Sequence, residues 1–472
     1  MIYIVRCILE TKTPLHCGEA SDGLLDAPVI RDAFGLWRIP GSTIAGVFRS
    51  WIRRHRPEAE TQLFGSERDS EQSSSKLWVS DGQLLDFDNT LAWRKAINGT
   101  QVDIPVNQYI RDHVRLDPET GAAAETGKFD EEYVPKGVRF FCEITLDEWF
   151  QAHDDSLLAA FGDLMAAFLS GELRFGASQA YNYGTYTVIQ TWARSFDLTR
   201  EASTEAWLSL DDTETFPQNV GEPWSPTANP MTPESDLYGT LTIPLRAQGP
   251  ILIAGGEAEG AIDTDLCFAK TAVYDYQKKT VYTVFAIPGS ALRGAIRHRV
   301  HAILGDLSCG THIEDDLFGA LVDKEAKRGK IAFADAILFA QTKPLDETAC
   351  KTVQHVSIDR FTGGAMDAQL FNEAPLWRDD ICLDCTLTLD GIAPEAAGIL
   401  LHALCDLAES ALPIGNGVNR GNGRLALDRE RAIRCDLVWN GETLNEKDTE
   451  KAQIWLKRIN DACKETFHAH AV

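Results

Sequence analysis

The stretch IPGSTIAGVFR at residues 39–49 returns as IPGSALRGAIR at residues 287–297, with six of eleven positions identical at an offset of 248. A chain that echoes itself has to be read as copies of one unit before any fold is assigned. The echo runs on. LFGS at 63–66 returns as LFGA at 317–320, and Asp81 in WVSDGQL has a counterpart in Asp335 of AFADAIL, both at an offset of 254. HVRLDPETGAAAETGKFDEE, from His113, and HVSIDRFTGGAMDAQLFNEA, from His355, share His, Val, Asp, Thr, Gly, Phe and Glu at an offset of 242. GASQAYNYG (176–184) mirrors GNGVNRGNG (415–423), and GLLDAPV ending at Val29 resembles GAIDTDL ending at Leu266. Blocks kept in one order at nearly constant spacing mean a duplicated domain.

Composition locates the seam. Residues 197–236 hold nine acidic residues against the single Arg200, and five prolines fall between Pro217 and Pro233. Such a stretch is expected to be an extended, solvated linker. The first domain is therefore expected over 1–196, the linker over 197–236 and the second domain over 237–472, each large enough to bury a core.

The net charge of −25 excludes a protein that coats nucleic acid over its whole surface. A local basic groove stays open, because salt confines charge effects to about 8–10 Å. With no signal-peptide pattern and no bilayer-length apolar run, the chain is expected to be cytoplasmic and to have no membrane partner. Eleven scattered cysteines fit a reducing compartment better than a disulfide framework. Cys382, Cys385, His402 and Cys405 have a zinc-like spacing. Yet ICLDCTLTLDG alternates as a strand, which sets Cys382 and Cys385 on opposite faces, and the other copy lacks the first ligand, so no structural zinc is expected.

MIYIVRCILE and YGTLTIPLRA read as opening strands. After each Pro-Gly-Ser turn a helix is expected, with Ile44, Val47, Phe48, Trp51 and Ile52 on one face and Ser42 and Ser290 as N-caps. Each copy then carries a strand (137–146, 380–390), a helix (154–170, 394–411), a glycine-rich loop and a last strand. The expected fold class is α+β: two tandem ferredoxin-like domains, related to RNA-recognition modules, with insertions and a C-terminal amphipathic helix.

A Gly-Ser turn opening a helix offers backbone N–H groups to a phosphate, so Gly41, Ser42, Gly289 and Ser290 are candidate RNA contacts. Arg49, Arg53 and Arg54 in the first copy, and Arg293, Arg297, His298 and His301 in the second, form basic faces away from the core. The loops add Gly176, Ser178 and Gly184, and Gly415, Arg420, Gly421 and Gly423, as a backbone-lined cradle for a sugar–phosphate chain. The first loop's tyrosines either stack on bases or pack inside the protein. His113 and His355 recur at one place and read as ribonuclease histidines or as hairpin anchors.

These residues together resemble the RAMP (repeat-associated mysterious protein) superfamily of CRISPR–Cas systems, and most of all the backbone subunits of type III effector complexes. The resemblance rests on GLLDAPVIRDAFGLWRIPGSTIAGVFR after the first strand, LFGS, and a glycine-rich loop near the end, and covers most of both copies. It implies a chain that binds CRISPR guide RNA, supplies two backbone units beside other effector-complex subunits, and cleaves complementary target RNA. It also implies a cleaving aspartate before the Pro-Val pair, which here is Asp26. The implied cofactor is Mg²⁺ or another divalent metal, with no organic cofactor. The chemistry resembles metal-assisted transesterification by the RNA's own 2′-hydroxyl. A carboxylate of ordinary pKa near ~4 is a weak base at neutral pH, which favours a metal-positioning role.

The second copy departs from this pattern. Gly23/Gly260 and Leu25/Ile262 set Asp263 opposite Asp26, with Asp265 adjacent, but TDL replaces APV and eleven extra residues precede the turn. Asp32 is a nearby alternative in the first copy. Two other functions compete: a catalytically inert backbone with the same RNA binding, and a metal-independent endoribonuclease that processes guide RNA.

Overall fold

In the computed structural model each repeat is built on one antiparallel sheet with its opening strand at the centre. The structure describes residues 1–21, 23, 25–66, 74–117, 123–148, 155–211, 215–226, 236–255, 266–307, 312–322, 325–445 and 447–468. In repeat 1, Ile2–Thr11 lies between Arg139–Asp147 and Tyr186–Phe196; beyond Arg139–Asp147 come Gly82–Leu84 and then Arg38–Ile39. In repeat 2, Leu237–Ala247 lies between Ile381–Ile392 and Arg434–Trp439. The registers match as well: Cys7 faces Cys142, and Ile243 faces Cys385. The fold is α+β in both repeats.

Two helices cover one face of each sheet. In repeat 1 the helix Gly41–His55 buries Ile44, Phe48 and Ile52, and the Phe48 ring sits 5.1 Å from Phe168 of the helix Asp155–Leu169. The i, i+4, i+8 spacing of those three residues gives the helix its single apolar stripe. Repeat 2 does the same with Leu292, Ile296 and Val300 of Gly289–Asp306 against Pro394–Ala408. The C-terminal helix Thr449–His468 lies on Pro394–Ala408, where Gly398 leaves room for Cys463.

Over its described residues, 197–211 and 215–226, the acidic segment after Phe196 is not the solvated, extended chain expected from its composition. Its residues Leu198, Trp207, Leu210, Phe216 and Val220 pack over Ile2, Ile4, Trp192 and Phe196 on the outer face of the first sheet. Glu201–Leu208 forms a helix, and Glu222–Pro223 joins the sheet beside Tyr186–Phe196. A few apolar side chains spaced among the acids suffice to hold it, since burying one large apolar residue is worth about 1.5–3 kcal/mol.

The extra residues before the second turn form an antiparallel hairpin, Lys270–Asp275 with Thr280–Ile287. That hairpin joins the repeats. Its Tyr274 and Tyr276 are buried within the core of repeat 1. Tyr274 Oη donates to the Pro105 carbonyl at 2.5 Å, and Tyr276 Oη donates to the Leu85 carbonyl at 2.7 Å. Buried tyrosines with satisfied hydroxyls make a rigid joint.

Cys385 lies in the core, where burial pushes its thiol up to about 12, and Cys382 sits beside Asp428 with its Sγ 3.7 Å from Oδ2. No helix of the described residues is long and apolar enough to cross a membrane.

Candidate functional site

The Pro-Gly-Ser turn is a joint of the fold. Gly41 N–H donates to Asp81 Oδ1 at 2.7 Å, and Gly289 N–H donates to Asp335 Oδ1 at 2.8 Å. The repeated aspartate therefore holds the helix N-terminus that was expected to take a phosphate. A Cβ on Gly41 would lie 2.6 Å from the Val79 carbonyl oxygen, and one on Gly289 would lie 2.0 Å from that of Phe333. Glycine is required there because the helix starts against strand backbone. Pro40 and Pro288 occupy the N-cap positions, so Ser42 and Ser290 lie inside the first turn and do not cap.

The basic faces carry ion pairs within the protein. Arg49 and Arg53 both reach Glu60, at 2.8 and 2.6 Å. Hydrogen bonds from Arg53 and then Arg49 hold the Glu60 carboxyl down to about 2. This clamp is thus present above the ordinary carboxylate range and is lost only as pH falls through about 2. Repeat 2 rebuilds it with Arg297 and His301 on Glu314, each at 2.7 Å. Arg293 donates to the Phe318 carbonyl and lies 5.9 Å from the Tyr181 ring. The arginines expected to meet phosphate tie each long helix to the short helix after it. Arg54 and His298 stay exposed.

The glycine-rich loops share one conformation. Ser178 and Asn182 have positive φ of 55° and 58°, where repeat 2 has Gly417 and Gly421 at 72° and 94°. Repeat 1 thus reaches the same shape with fewer glycines. Gly176 and Gly415 press against the carbonyls of His16 and Leu252, with a Cβ only 2.1 and 2.2 Å from them; Gly184 and Gly423 press against Phe175 and Ile414 at 1.8 and 1.9 Å. These four are structural. The tyrosines pack: Tyr183 is fully buried, and Tyr181 stacks on His113 at 5.4 Å. The loops differ in surroundings. Gln179–Tyr181 packs against Ile331–Phe333 and Gly289–Asp306 of repeat 2, whereas Val418, Asn419 and Arg420 are exposed.

Beside each loop stands the base of a hairpin, Ile110–Leu116 with Ala123–Glu132 in repeat 1 and Val353–Ile358 with Ala365–Glu373 in repeat 2. Glu131 is nearly buried, takes the Ser178 hydroxyl, and lies 3.4 Å from His113 Nε2. Burial alone would raise its pKa, but the His113 ring and the Ser178 hydroxyl outweigh that and lower it. In repeat 2, Glu373 pairs with His355 at 3.0 Å and accepts from Arg420. Each histidine also stacks on a hairpin phenylalanine, Phe129 or Phe371. His113 and His355 anchor the hairpins to the loops. The glutamates escaped the sequence reading, although their offset of 242 is that of the histidines.

Asp26 lies next to this base and is exposed. Its Oδ2 accepts the Asp130 N–H at 3.1 Å, and its own N–H donates to Asp130 Oδ1 at 2.8 Å. Asp32 is spent on a turn, accepting the N–H groups of Phe34 and Leu36. Asp263 and Asp265 lie outside the described residues. Strand register nevertheless fixes the correspondence around them. Ala27 bridges Glu131 in parallel as Leu266 bridges Glu373, and Val29 bridges Gly18 as Phe268 bridges Ala254. Leu266 takes the place of Ala27, and in sequence Asp265 precedes Leu266 as Asp26 precedes Ala27.

Across the junction Arg111 of repeat 1 grips Asp335 with both terminal nitrogens, at 3.1 and 2.8 Å, and both partners are about nine-tenths buried. Asp81 is paired instead by Arg38 of its own repeat, at 2.6 Å and about a third exposed. Arg111 has no counterpart that sequence could reveal, since Val353 stands at its offset.

A family model described as the RAMP superfamily matches residues 8–187 and 245–426, one stretch in each repeat. No curated protein matches the chain.

Proposed function

Because the chain belongs to the RAMP superfamily, whose members are in general CRISPR-associated RNA-binding proteins, we propose that it is the double backbone subunit of a type III effector complex. In this reading it holds CRISPR guide RNA and cuts complementary target RNA. The observation that carries this is the repetition of one site, loop against hairpin base, in two joined copies, with Asp26 beside the first. We read the sheet order, with the opening strand between the middle and closing strands, as ferredoxin-like.

Asp26 is the proposed cleaving residue of repeat 1, and of the two candidates in repeat 2, Asp263 and Asp265, the second is the proposed counterpart. A divalent metal of the Mg²⁺ class takes oxygen ligands and is commonly held by one or two carboxylates together with substrate phosphates. Asp26, with the Asp130 carboxylate beside it, offers that donor set. Bound there, Mg²⁺ would neutralise charge developing on the phosphate. The chain's own task is to hold the RNA so that a 2′-oxygen lines up with its adjacent phosphorus. The new O2′–P bond forms as the P–O5′ bond breaks, leaving a cyclic phosphate and a 5′-hydroxyl. The exposed loop and arginine of repeat 2 (Val418–Arg420) are the proposed backbone contacts.

The reciprocal Asp26–Asp130 bonds also favour a second reading, in which Asp26 only shapes its loop and the backbone is inert. End-labelled target RNA, run on a denaturing gel with the reconstituted complex, separates the two. Asp26→Asn keeps an acceptor for the Asp130 N–H but removes the charge. It should abolish one cut and leave guide binding intact, and Asp265→Asn should abolish a second. An unchanged ladder for Asp26→Asn leaves the inert backbone standing.

A further inference from the structure

A cleft at the junction of the repeats is lined by Arg174, Gln179, Arg328, Lys330, Thr388 and Asp390. Arg174 and Gln179 belong to repeat 1 and the others to repeat 2, so the cleft exists only because the two are joined. At the offset of 239 that relates the loops, Pro413 stands where Arg174 does, so this arginine is no part of the duplicated framework.

Arg174 differs from most of the arginines described above, although Arg293, on the Phe318 carbonyl, likewise meets no carboxylate. Arg49, Arg53, Arg111 and Arg297 each meet a carboxylate within 3.1 Å. Among the described residues, the hydrogen bond of the Arg174 guanidinium is to the Gln179 carbonyl at 3.5 Å, the outer limit of such a bond. Asp390, the carboxylate in the cleft, lies 3.7 Å from Arg328, and Lys330 is turned to Asp316 at 3.0 Å. Burial, and then the charge of Arg328, lower Arg174 to about 10, which leaves it a cation at neutral pH. Arg174 is half-buried, and the charge of Asp390 acts on it without forming an ion pair. The chain has 70 acidic residues and sets none within ion-pair reach of this one among the described residues.

We propose that the inter-repeat cleft binds a phosphate group, with one phosphate oxygen entering between the repeats to pair with Arg174 and Arg328. The cleft's interior measures about 10 Å³. That is room for one oxygen-sized group, so the rest of the phosphate sits at the mouth, where a passing strand could supply it. The guanidinium fork matches phosphate geometry, which lysine does not. The phosphate comes either from the backbone of bound RNA, in which case the proposal rests on the RNA-binding reading above, or from free phosphate.

Melting of the full chain with and without inorganic phosphate tests the site without RNA, and RNA affinity against salt tests the source. Phosphate should raise the melting temperature of the wild type but not of Arg174→Gln, and Arg174→Lys should keep part of the rise. In phosphate-free buffer Arg174→Gln should melt no lower than wild type, because it removes a half-buried charge that has no ion-pair partner. If RNA is the source, Arg174→Gln should also flatten the salt dependence of RNA binding by roughly 0.7 log unit, the value of one single-strand phosphate contact. An unchanged slope together with a lost phosphate response supports the site and assigns it to free phosphate. Two results overturn the proposal: an equal phosphate response in wild type and Arg174→Gln, or a variant that melts lower in phosphate-free buffer and shows no phosphate response, which makes Arg174 a structural residue.

Discussion

Repeat 1 and repeat 2 share their joints and differ in what they expose. The residues that recur most plainly, the Pro-Gly-Ser turn with its aspartate and the arginines on Glu60 or Glu314, hold the fold together in both copies. The loop of repeat 1 is covered by repeat 2, and its Tyr181 packs on His113, whereas the loop of repeat 2 is open and carries Arg420 on Glu373. Beside the candidate aspartates, Asp130 in repeat 1 becomes Asn372 in repeat 2 at the offset of 242. In a duplicated chain, repetition marks the framework, and divergence marks where the copies took separate tasks.

The largest test of that contrast is the repeated aspartate. Asp335→Ala strands Arg111 in a buried interface and should cost about 3–5 kcal/mol. Asp81→Ala loses a partly exposed pair and one helix-end bond, about 1 kcal/mol. Urea denaturation of the full chain checks both, and equal losses would mean that the junction pair is not specially buried.

Next come the glycines of the turn. Gly289→Ala and Gly41→Ala each force strand backbone to move, an overpacking cost of about 1–3 kcal/mol. Gly289 should be the worse, because its Cβ would come closer to the carbonyl, 2.0 against 2.6 Å. Calorimetric melting measures the order.

How much of this was legible in the sequence follows from the same distinction. The duplication, the α+β class and the strand–helix order depend on local periodicity and on spacing that repeats, so they could be read directly. The turn motif was visible, but its role was not. A glycine that admits a phosphate and a glycine that admits a strand look alike in sequence, and only the position of Asp81 or Asp335 decides. Glu60 and Glu314 were within reach, since their offset of 254 is that of the LFG blocks. The union of the repeats was not, because Tyr274, Tyr276 and Arg111 each occur once and act at long range. The acidic segment misled because composition averages over the few apolar residues that hold it down.

Smaller effects sharpen the comparison at the sites. Arg49→Ala and Arg297→Ala should leave the salt slope of RNA binding nearly unchanged, well short of the roughly 0.7 log unit of one phosphate contact. Their side chains pair with Glu60 and Glu314, as Arg420 does with Glu373, but they stand on the long helices and not on the exposed loop, and a loss of roughly 0.7 log unit or more would return them to the RNA. Smallest is the loop backbone. Gly421→Ala, at a φ of 94° with open space around its Cβ, should destabilise repeat 2 by about 1 kcal/mol. Asn182→Gly at the equivalent place should be neutral within a few tenths of a kcal/mol, since Gly and Asn both tolerate that conformation. Paired melting curves show whether the two loops share one shape.

Equilibrium binding of single-stranded RNA to the full chain across a salt series tests the central claim most directly. If the chain holds an RNA backbone, affinity should fall linearly with log salt by roughly 0.7 per phosphate contact and should not depend on RNA sequence. Replacing Arg420 with Ala, in the open loop of repeat 2, should lower the slope, and replacing Gln179 with Ala, in the covered loop of repeat 1, should not. No binding, or binding whose strength ignores salt and follows base sequence, would contradict the assignment.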